Sequence, residues 1–468
     1  MINNSVIYLV LTVIEKGGWL ILLPFYTSYI APKEFGIYAL YGIVTSILII
    51  IASVSLPNAL GKVYYDIQDG RVDGTITEYL STITIAVTIS SLLFGILLYL
   101  LSVFIPFEEQ SEYNKLVLPI IILVVVKPVV DVTKGVFQVQ QRALYFSVFS
   151  LSIFLIQNVI CIILIVFYDY TVEAIIYGGL ASYTVFYVLS IFYCTTKYGF
   201  NFNKRVFSYA LKYSAPLLPH NLSGWGMSSI DRVMIQNMTS SYALGIYSLS
   251  LQLSSVITVL VGSINLAWSP YMYKNIHDTG TGRRNLATIG AIVTISLLLL
   301  SAGIITFGKY VIIYSFDTAY QDVIYYLPWM IFIAFLQAAS VFIGAPTIVE
   351  NPALFSKITI FSVILNIVMN LIFINLWGAI GAVYATFIQK FITTYIYVIL
   401  GRRSKLRIDY NVIGITLLYL LLLTLWSVFD NYDLNILRDL VLFIFYSFVV
   451  LFYATKILNK NDLLDLKK

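Results

Sequence analysis

Seven charged residues stand inside stretches that are otherwise apolar enough to cross a lipid bilayer. They are Glu15 and Lys16, Lys127 and Asp131, Asp231 and Arg232, and Lys390. Each charge costs on the order of 3 kcal/mol at a bilayer centre on insertion scales, so each is expected to face a bundle interior or a wet cavity. The chemistry open to them is that of a lumen, in which Lys16, Lys127, Arg232 and Lys390 supply four cations for a ligand and the acids stand beside them. Lys127 and Asp131 are spaced i, i+4 and can also pair along one helix face. Asp131 lies near one membrane surface, where water reaches it. The adjacent pairs Glu15-Lys16 and Asp231-Arg232 diverge by about 100° around a helix, so the members of each address different neighbours. Asp231-Arg232 falls in the outer third of its segment, where a long side chain can snorkel. Lys390 has no near partner in sequence, which favours a ligand role.

Proline and glycine mark where such segments break. Pro216, Pro219, Gly224 and Gly226 cluster within one of them and are expected to bend it. Pro24, Pro128 and Pro346 add single breaks.

The composition sets the frame that positions these residues. The 468 residues are 60% hydrophobic and 11% charged, with a mean hydropathy of +0.89, whereas a soluble domain is about 25% charged. The class is an all-α polytopic membrane protein. At about 20 apolar residues per span, about fourteen transmembrane helices are predicted: 6–29, 36–58, 79–104, 116–140, 143–167, 172–195, 211–238, 241–267, 286–308, 322–346, 353–375, 377–400, 410–429 and 435–457. The longest gap, 59–78, holds Gly70-Arg-Val-Asp-Gly74 at its centre.

Orientation follows from the placement of Lys and Arg. With the N-terminus in the cytoplasm, the inside loops hold twenty of them, including Lys62, Arg71, Lys134, Lys204, Arg205 and Lys212. The outside loops hold four, namely Lys33, Lys115, Lys309 and Arg438, together with acids such as Asp430 and Asp439. Both termini are then cytoplasmic.

The chain also repeats itself. Phe35-Gly36-Ile37-Tyr38-Ala39-Leu40 matches Leu244-Gly245-Ile246-Tyr247-Ser248-Leu249 at an offset of 209, and Ala143-Leu144-Tyr145 matches Ala353-Leu354-Phe355 at 210. Each copy spans six helices, an even number, so the copies share one orientation about an axis along the membrane normal. This divides the chain into an N-terminal six-helix lobe (1–200), a C-terminal six-helix lobe repeating it (201–405), and helices 13 and 14 with a tail (406–468).

Other signals exclude classes. Cys161 and Cys194 fall in separate apolar runs and read as packing residues. His220 and His277 fit no metal pattern, and no cofactor or nucleic-acid signal is present. Gly303-Ile-Ile-Thr-Phe-Gly308-Lys309 imitates a phosphate loop but is followed by Tyr310 at the end of an apolar segment. Without an ATPase site, work would come from an ion gradient or from downhill substrate. No basic leader with a cleavage site precedes the first run, so no removable signal peptide is expected.

The stretches YTSYIAPKEFGIYALYGIV and APLLPHNLSGWGMSSIDRVMIQNMTSSYALGIYSLS resemble the polysaccharide transport family of the multidrug/oligosaccharidyl-lipid/polysaccharide (MOP) exporter superfamily, which includes Wzx-like flippases of O-antigen and capsule repeat units. The resemblance extends over the whole chain in length, helix count and duplication. It implies a MATE-like fold of two pseudo-symmetric six-helix bundles plus two C-terminal helices. It implies no enzyme activity, but flipping of an undecaprenyl-pyrophosphate-linked oligosaccharide from the cytoplasmic to the outer face of a bacterial or archaeal plasma membrane by alternating access. Lys16, Lys127, Arg232 and Lys390 are then candidates for the pyrophosphate, and Glu15, Asp231 and Asp131 for proton or sodium coupling. Membrane lipids, a polymerase and chain-length proteins of the same pathway are the implied partners. A lipid II or teichoic-acid precursor exporter is a variant of this reading. A drug or metabolite antiporter of the same superfamily is the alternative. A membrane polymerase or glycosyltransferase fits less well, because no outside loop exceeds roughly fifteen residues and a catalytic outer loop is usually large.

Overall fold

The structure, a computed structural model, describes residues 2–104, 114–275, 281–343, 352–403, 410–430 and 434–457. Their regular structure is helical throughout. In chain order the helices are α1 (Ile2–Tyr29), α2 (Pro32–Ala52), α3 (Leu60–Gln68), α4 (Ile76–Phe104), α5 (Asn114–Val139), α6 (Ala143–Tyr168), α7 (Val172–Tyr198), α8 (Lys204–Ser214), α9 (Leu218–Met238), α10 (Ser241–Asn275), α11 (Thr281–Ser315), α12 (Val323–Ile343), α13 (Pro352–Trp377), α14 (Ala379–Arg403), α15 (Tyr410–Phe429) and α16 (Ile436–Ile457). The described residues of the fourteen expected segments are largely helical, and among the described residues ten helices are long and apolar enough to cross a membrane.

Four local expectations are corrected. The segment 211–238 is not one helix: α8 ends at Ser214, a 3₁₀ turn covers Ala215–Leu217, and α9 starts at Leu218. Pro216 sits in that turn, where its missing N–H cannot continue the α-helical ladder; Gly224 and Gly226 lie within α9. The stretch around Gly245, whose Gly-Ile-Tyr sequence alone suggests the hairpin that closes the preceding segment, is helical: α10 already starts at Ser241. The gap 59–78 is not all loop, because α3 fills its first half. Finally, Lys134 and Lys309 are not loop residues: they lie within α5 and α11. Pro346 and His277 fall outside the described residues.

Two compact units form. The first takes Met1–Gly18 and Ile37–Val233; the second takes Trp19–Gly36 and Met234–Lys468. The division cuts through α1, α2 and α9, so each unit holds pieces of helices that continue into the other.

In the first unit, Leu60 and Val63 of α3, Tyr79, Ile83 and Val87 of α4, Val129, Val132 and Val136 of α5, and Val206 and Ala210 of α8 form one buried apolar cluster. Polar contacts bind α9 to α2 and to the turn after it. The Trp225 indole donates to the Ile43 carbonyl and to Ser46 Oγ, both at 3.1 Å, and Asn221 Nδ2 donates to Ser55 Oγ at 2.9 Å. Between α3 and α8, Asp66 accepts from Lys62 and, at 2.9 Å, from the Tyr209 hydroxyl. The Lys62 hydrogen bond foremost, with Tyr209 behind it, holds the Asp66 carboxyl below the usual carboxylate range although burial pushes the other way.

In the second unit the two copies of the repeat touch. A methyl group added to Gly36 would lie 1.8 Å from the Ser241 carbonyl oxygen, and one added to Gly245 would lie 1.9 Å from the Pro32 carbonyl oxygen. Gly36 and Gly245 differ by the repeat offset, and so do Pro32 and Ser241. The contact is therefore reciprocal, backbone against backbone, with no room for a side chain. The Tyr320 hydroxyl donates to the Ile30 carbonyl at 2.7 Å, and the Trp19 indole donates to Gln252 at 2.6 Å. These contacts explain why Trp19–Gly36 clusters with the second unit.

The same unit joins four charges, of which Lys309 and Asp439 are buried. Lys309 of α11 lies 2.7 Å from Asp430, just past α15, and 2.9 Å from Asp439 in the first turn of α16. Arg438 reaches Asp430 at 2.6 Å and Asp439 at 3.3 Å, the Tyr310 hydroxyl donates to Asp439 at 2.7 Å, and the Trp426 ring lies beneath both cations. Two cations and two carboxylates balance, and Asp439 is fully buried. This network fastens the last two helices to α11.

Two stability outcomes are expected. Gly36→Ala or Gly245→Ala should lower stability by about 1–3 kcal/mol through overpacking, whereas Gly61→Ala, in a helix with open space around it, should be neutral or stabilising; thermal unfolding in detergent compares them. Asp439→Ala should cost about 3–5 kcal/mol, because it leaves Lys309 buried with half its partners gone; the same melts, read beside Leu437→Ala at an exposed position, check it.

Candidate functional site

The charged cluster of the first unit is built on one stripe of α5. Lys127, Asp131 and Lys134 follow at i, i+4 and i+7, positions that share a helix face. Asp131 takes Lys134 as its ion partner at 3.8 Å, one turn on, and not Lys127. Lys127 turns to an aromatic face instead. Its ammonium lies 5.4 Å from the centroid of the Tyr183 ring on α7, and the Lys134 ammonium lies 5.8 Å from the same centroid. A single tyrosine ring thus serves two cations through its quadrupole. Among the described residues Lys127 makes no ion pair.

Glu15 joins from α1. It is half-buried and within electrostatic reach of Lys134 and of Lys16, and Tyr183 in turn feels Lys134, Asp131 and Glu15. The Lys16 side chain is exposed. Lys16, Lys127 and Lys134 against Glu15 and Asp131 leave an excess of one positive charge. That excess, with one cation held only by a ring, allows an anion to enter without displacing a carboxylate.

Asp231 and Arg232 lie on the first-unit portion of α9. Arg232 folds back along its own helix: Nη2 donates to the Ser228 carbonyl at 2.6 Å and to Ser229 Oγ at 3.1 Å. Its buried Nε has no hydrogen-bond partner among the described residues. Asp231 Oδ1 accepts from the Arg232 backbone N–H at 2.8 Å. None of these bonds reaches the α5 cluster. The repeat also fails to align the two adjacent pairs, since at an offset of 209 Lys16 corresponds to Trp225 and Arg232 to Leu23.

Lys390 lies in the second unit on α14, beside a polar seam between α13 and α14. There Gln389 donates to Ser362 and, at 3.1 Å, to Thr393; Asn366 donates to Thr386 at 3.3 Å and Asn370 to Asn366 at 3.0 Å. Lys390 makes no hydrogen bond or ion pair among the described residues.

Two members of the cluster escape a reading of the sequence. Lys134 stands near the end of its apolar segment and counts there as a loop residue, although its i, i+3 spacing from Asp131 is a usable signal. Tyr183 is one of 37 tyrosines and carries no signal of its own. Its part is testable. Tyr183→Phe keeps the ring face and should leave function near wild type. Tyr183→Leu removes a contact worth about 2 kcal/mol when desolvated and should lower the unfolding temperature in detergent, where Tyr183→Phe should not.

The apolar helices among the described residues, ten of them long enough to cross a membrane, define a multi-pass membrane protein, and solved structures of membrane proteins share its fold. A lipid II flippase, MurJ, in an inward closed conformation superimposes with a TM-score of 0.62 at 16% identity, over 97% of this chain and 99% of that one. An inward-facing multidrug transporter of the MATE family superimposes at 0.56 and 14% identity, over 84% and 94%. The sequence profile of the polysaccharide biosynthesis protein family matches residues 29–325, and the chain belongs to that family. A Lsg locus putative protein of Haemophilus influenzae is 24% identical over 278 residues, 58% of this chain and 66% of that protein. An uncharacterised membrane protein of Methanocaldococcus jannaschii is 24% identical over 439 residues, 87% of this chain and 98% of its own.

Proposed function

We propose that the chain is a flippase for a lipid-linked oligosaccharide, carrying an undecaprenyl-pyrophosphate-linked repeat unit from the cytoplasmic to the outer face of the plasma membrane by alternating access. The observation that carries the reading is Lys127, an intramembrane cation held by the Tyr183 ring and, among the described residues, by no carboxylate. A diphosphate can displace a ring contact worth about 1–2 kcal/mol and gain a charge-assisted hydrogen bond in its place. Family membership supports a saccharide cargo. Lys16, Arg232 and Lys390 are further anion contacts on this reading. Glu15, coupled electrostatically to Lys134, is the first choice for the group that exchanges a proton or sodium ion with the gradient, ahead of Asp131 and Asp231. The excess of basic residues on one set of connections supports an orientation with both termini in the cytoplasm.

Deleting the gene should remove the surface glycan and cause lipid-linked repeat units to accumulate on the inner leaflet; intact glycan with no accumulation would sink the proposal. In the complemented strain, Lys127→Arg should keep most export. Lys127→Ala should lower it about tenfold, the equivalent of one charge-assisted contact of about 1.4 kcal/mol, and Lys127→Glu should abolish it. Equal export from the Arg and Glu variants would show that Lys127 does not meet an anion.

A further inference from the structure

The segment joining α7 to α9 carries a second basic feature, separate from the intramembrane cluster. It is held rigidly. Gly199 to Asn203 is pinned along α4: Ser81 Oγ donates to the Gly199 carbonyl at 2.9 Å, the Asn201 N–H donates to Ser81 Oγ at 2.9 Å, and the Asn203 N–H donates to Thr82 Oγ1 at 3.0 Å. Asn203 then caps α8, its side chain accepting from the N–H groups of Arg205 and Val206. Val206, Ala210 and Ser214 form the buried face of α8. The opposite face carries Lys204, Arg205, Ser208, Tyr209 and Lys212, which line an open groove of about 570 Å³.

Among the described residues none of the three cations in the groove has an acidic partner. The nearby carboxylate that Tyr209 touches, Asp66, is already taken up by Lys62 and Arg71. Aromatic side chains flank the groove and are exposed: Phe200 at 77%, Phe202 at 50% and Tyr213 at 39%. A short helix between two apolar helices, with a cationic stripe and exposed aromatic rings beside it, has the make-up of an element lying in the headgroup layer.

We propose that the α8 groove binds the phosphate headgroups of anionic phospholipids in the leaflet it faces, and that this interaction seats the α7–α9 connection on the membrane surface. The occupant follows from spacing as well as charge. Lys204 and Lys212 are eight residues apart, about 12 Å along a helix axis. That is far longer than one diphosphate but suits neighbouring headgroups in a leaflet. The exposed rings add an apolar contact with the acyl boundary that a soluble phosphate would not need.

The test uses the full-length protein in nanodiscs of phosphatidylcholine with increasing phosphatidylglycerol, with spin-labelled lipids reporting which lipid contacts the protein. Wild type should prefer phosphatidylglycerol, and salt should weaken the preference. Each removed cation should cost roughly fivefold in local affinity for anionic lipid, so Lys204→Gln/Arg205→Gln/Lys212→Gln should lose most of the preference. Lys204→Arg/Lys212→Arg should keep it. These positions are exposed, and unchanged melting of the triple variant in phosphatidylcholine certifies its fold. An undiminished phosphatidylglycerol preference in the triple variant overturns the proposal. So does a groove that ignores phosphatidylglycerol and responds only to an added polyprenyl diphosphate, which would make it a cargo site. Neither outcome bears on whether the chain flips a glycolipid, because the readout is lipid contact and not export.

Discussion

The constraint on which the second unit depends is the backbone contact between Gly36 and Gly245. Each glycine admits the carbonyl of the other helix to a distance at which any side chain would collide. Without aqueous solvent there is no hydrophobic force between membrane helices, so association rests on close packing and hydrogen bonds. Small residues that bring backbones together therefore do what buried leucines do in a soluble core. The contact draws the end of α1 and the start of α2 into the second unit, where Tyr320 and Gln252 hold them by hydrogen bonds. Two stretches 209 residues apart in sequence thus share one core.

The charges divide by how they are satisfied. Around Lys309 each cation meets both carboxylates, the sum is zero, and the hydroxyl of Tyr310 takes one remaining lone pair. A network closed in this way fixes α15 and α16 and leaves nothing to offer a ligand. Around Lys127 the satisfaction is partial: one ion pair at 3.8 Å, one ring shared by two ammonium groups, and a surplus positive charge. On the proposed reading, incomplete satisfaction is what leaves a group open to a ligand. Lys390 belongs with Lys127 on this criterion, and Arg232, half engaged by its own helix, stands between the two.

Most of the helices were legible because span length and apolar composition are properties of a continuous run; the segment 211–238, which proline divides, is the exception. The two matching stretches stood out in the sequence because they meet where sterics allow only glycine. What sequence could not supply was partnership across helices. Asp131 has Lys127 and Lys134 at almost equivalent spacings, and nothing in the spacing tells that it pairs with Lys134 or that both ammonium groups meet the ring of Tyr183 on another helix. Lys309, Arg438, Asp430 and Asp439 read as ordinary loop charges because nothing local tells that they converge. The break at Pro216 was anticipated as a bend, but its separation of an amphipathic α8 from α9 depends on α8 finding a core to cover, which is a tertiary matter.

The reciprocity of the glycine contact has a consequence for where such a chain can come from. A surface in which residue i meets j and j meets i is isologous, the kind that two identical chains form about a two-fold axis. Pro32 with Gly36 and Ser241 with Gly245 satisfy that rule across the repeat. A single six-helix copy carrying one proline or serine carbonyl and one glycine, inserted beside a twin in the same orientation, already has everything the contact requires. Joining the two by one connecting segment turns a homodimer into a monomer without inventing a new interface. Outside the contact the two stretches are under no such constraint: 209 residues on from Lys16 stands Trp225.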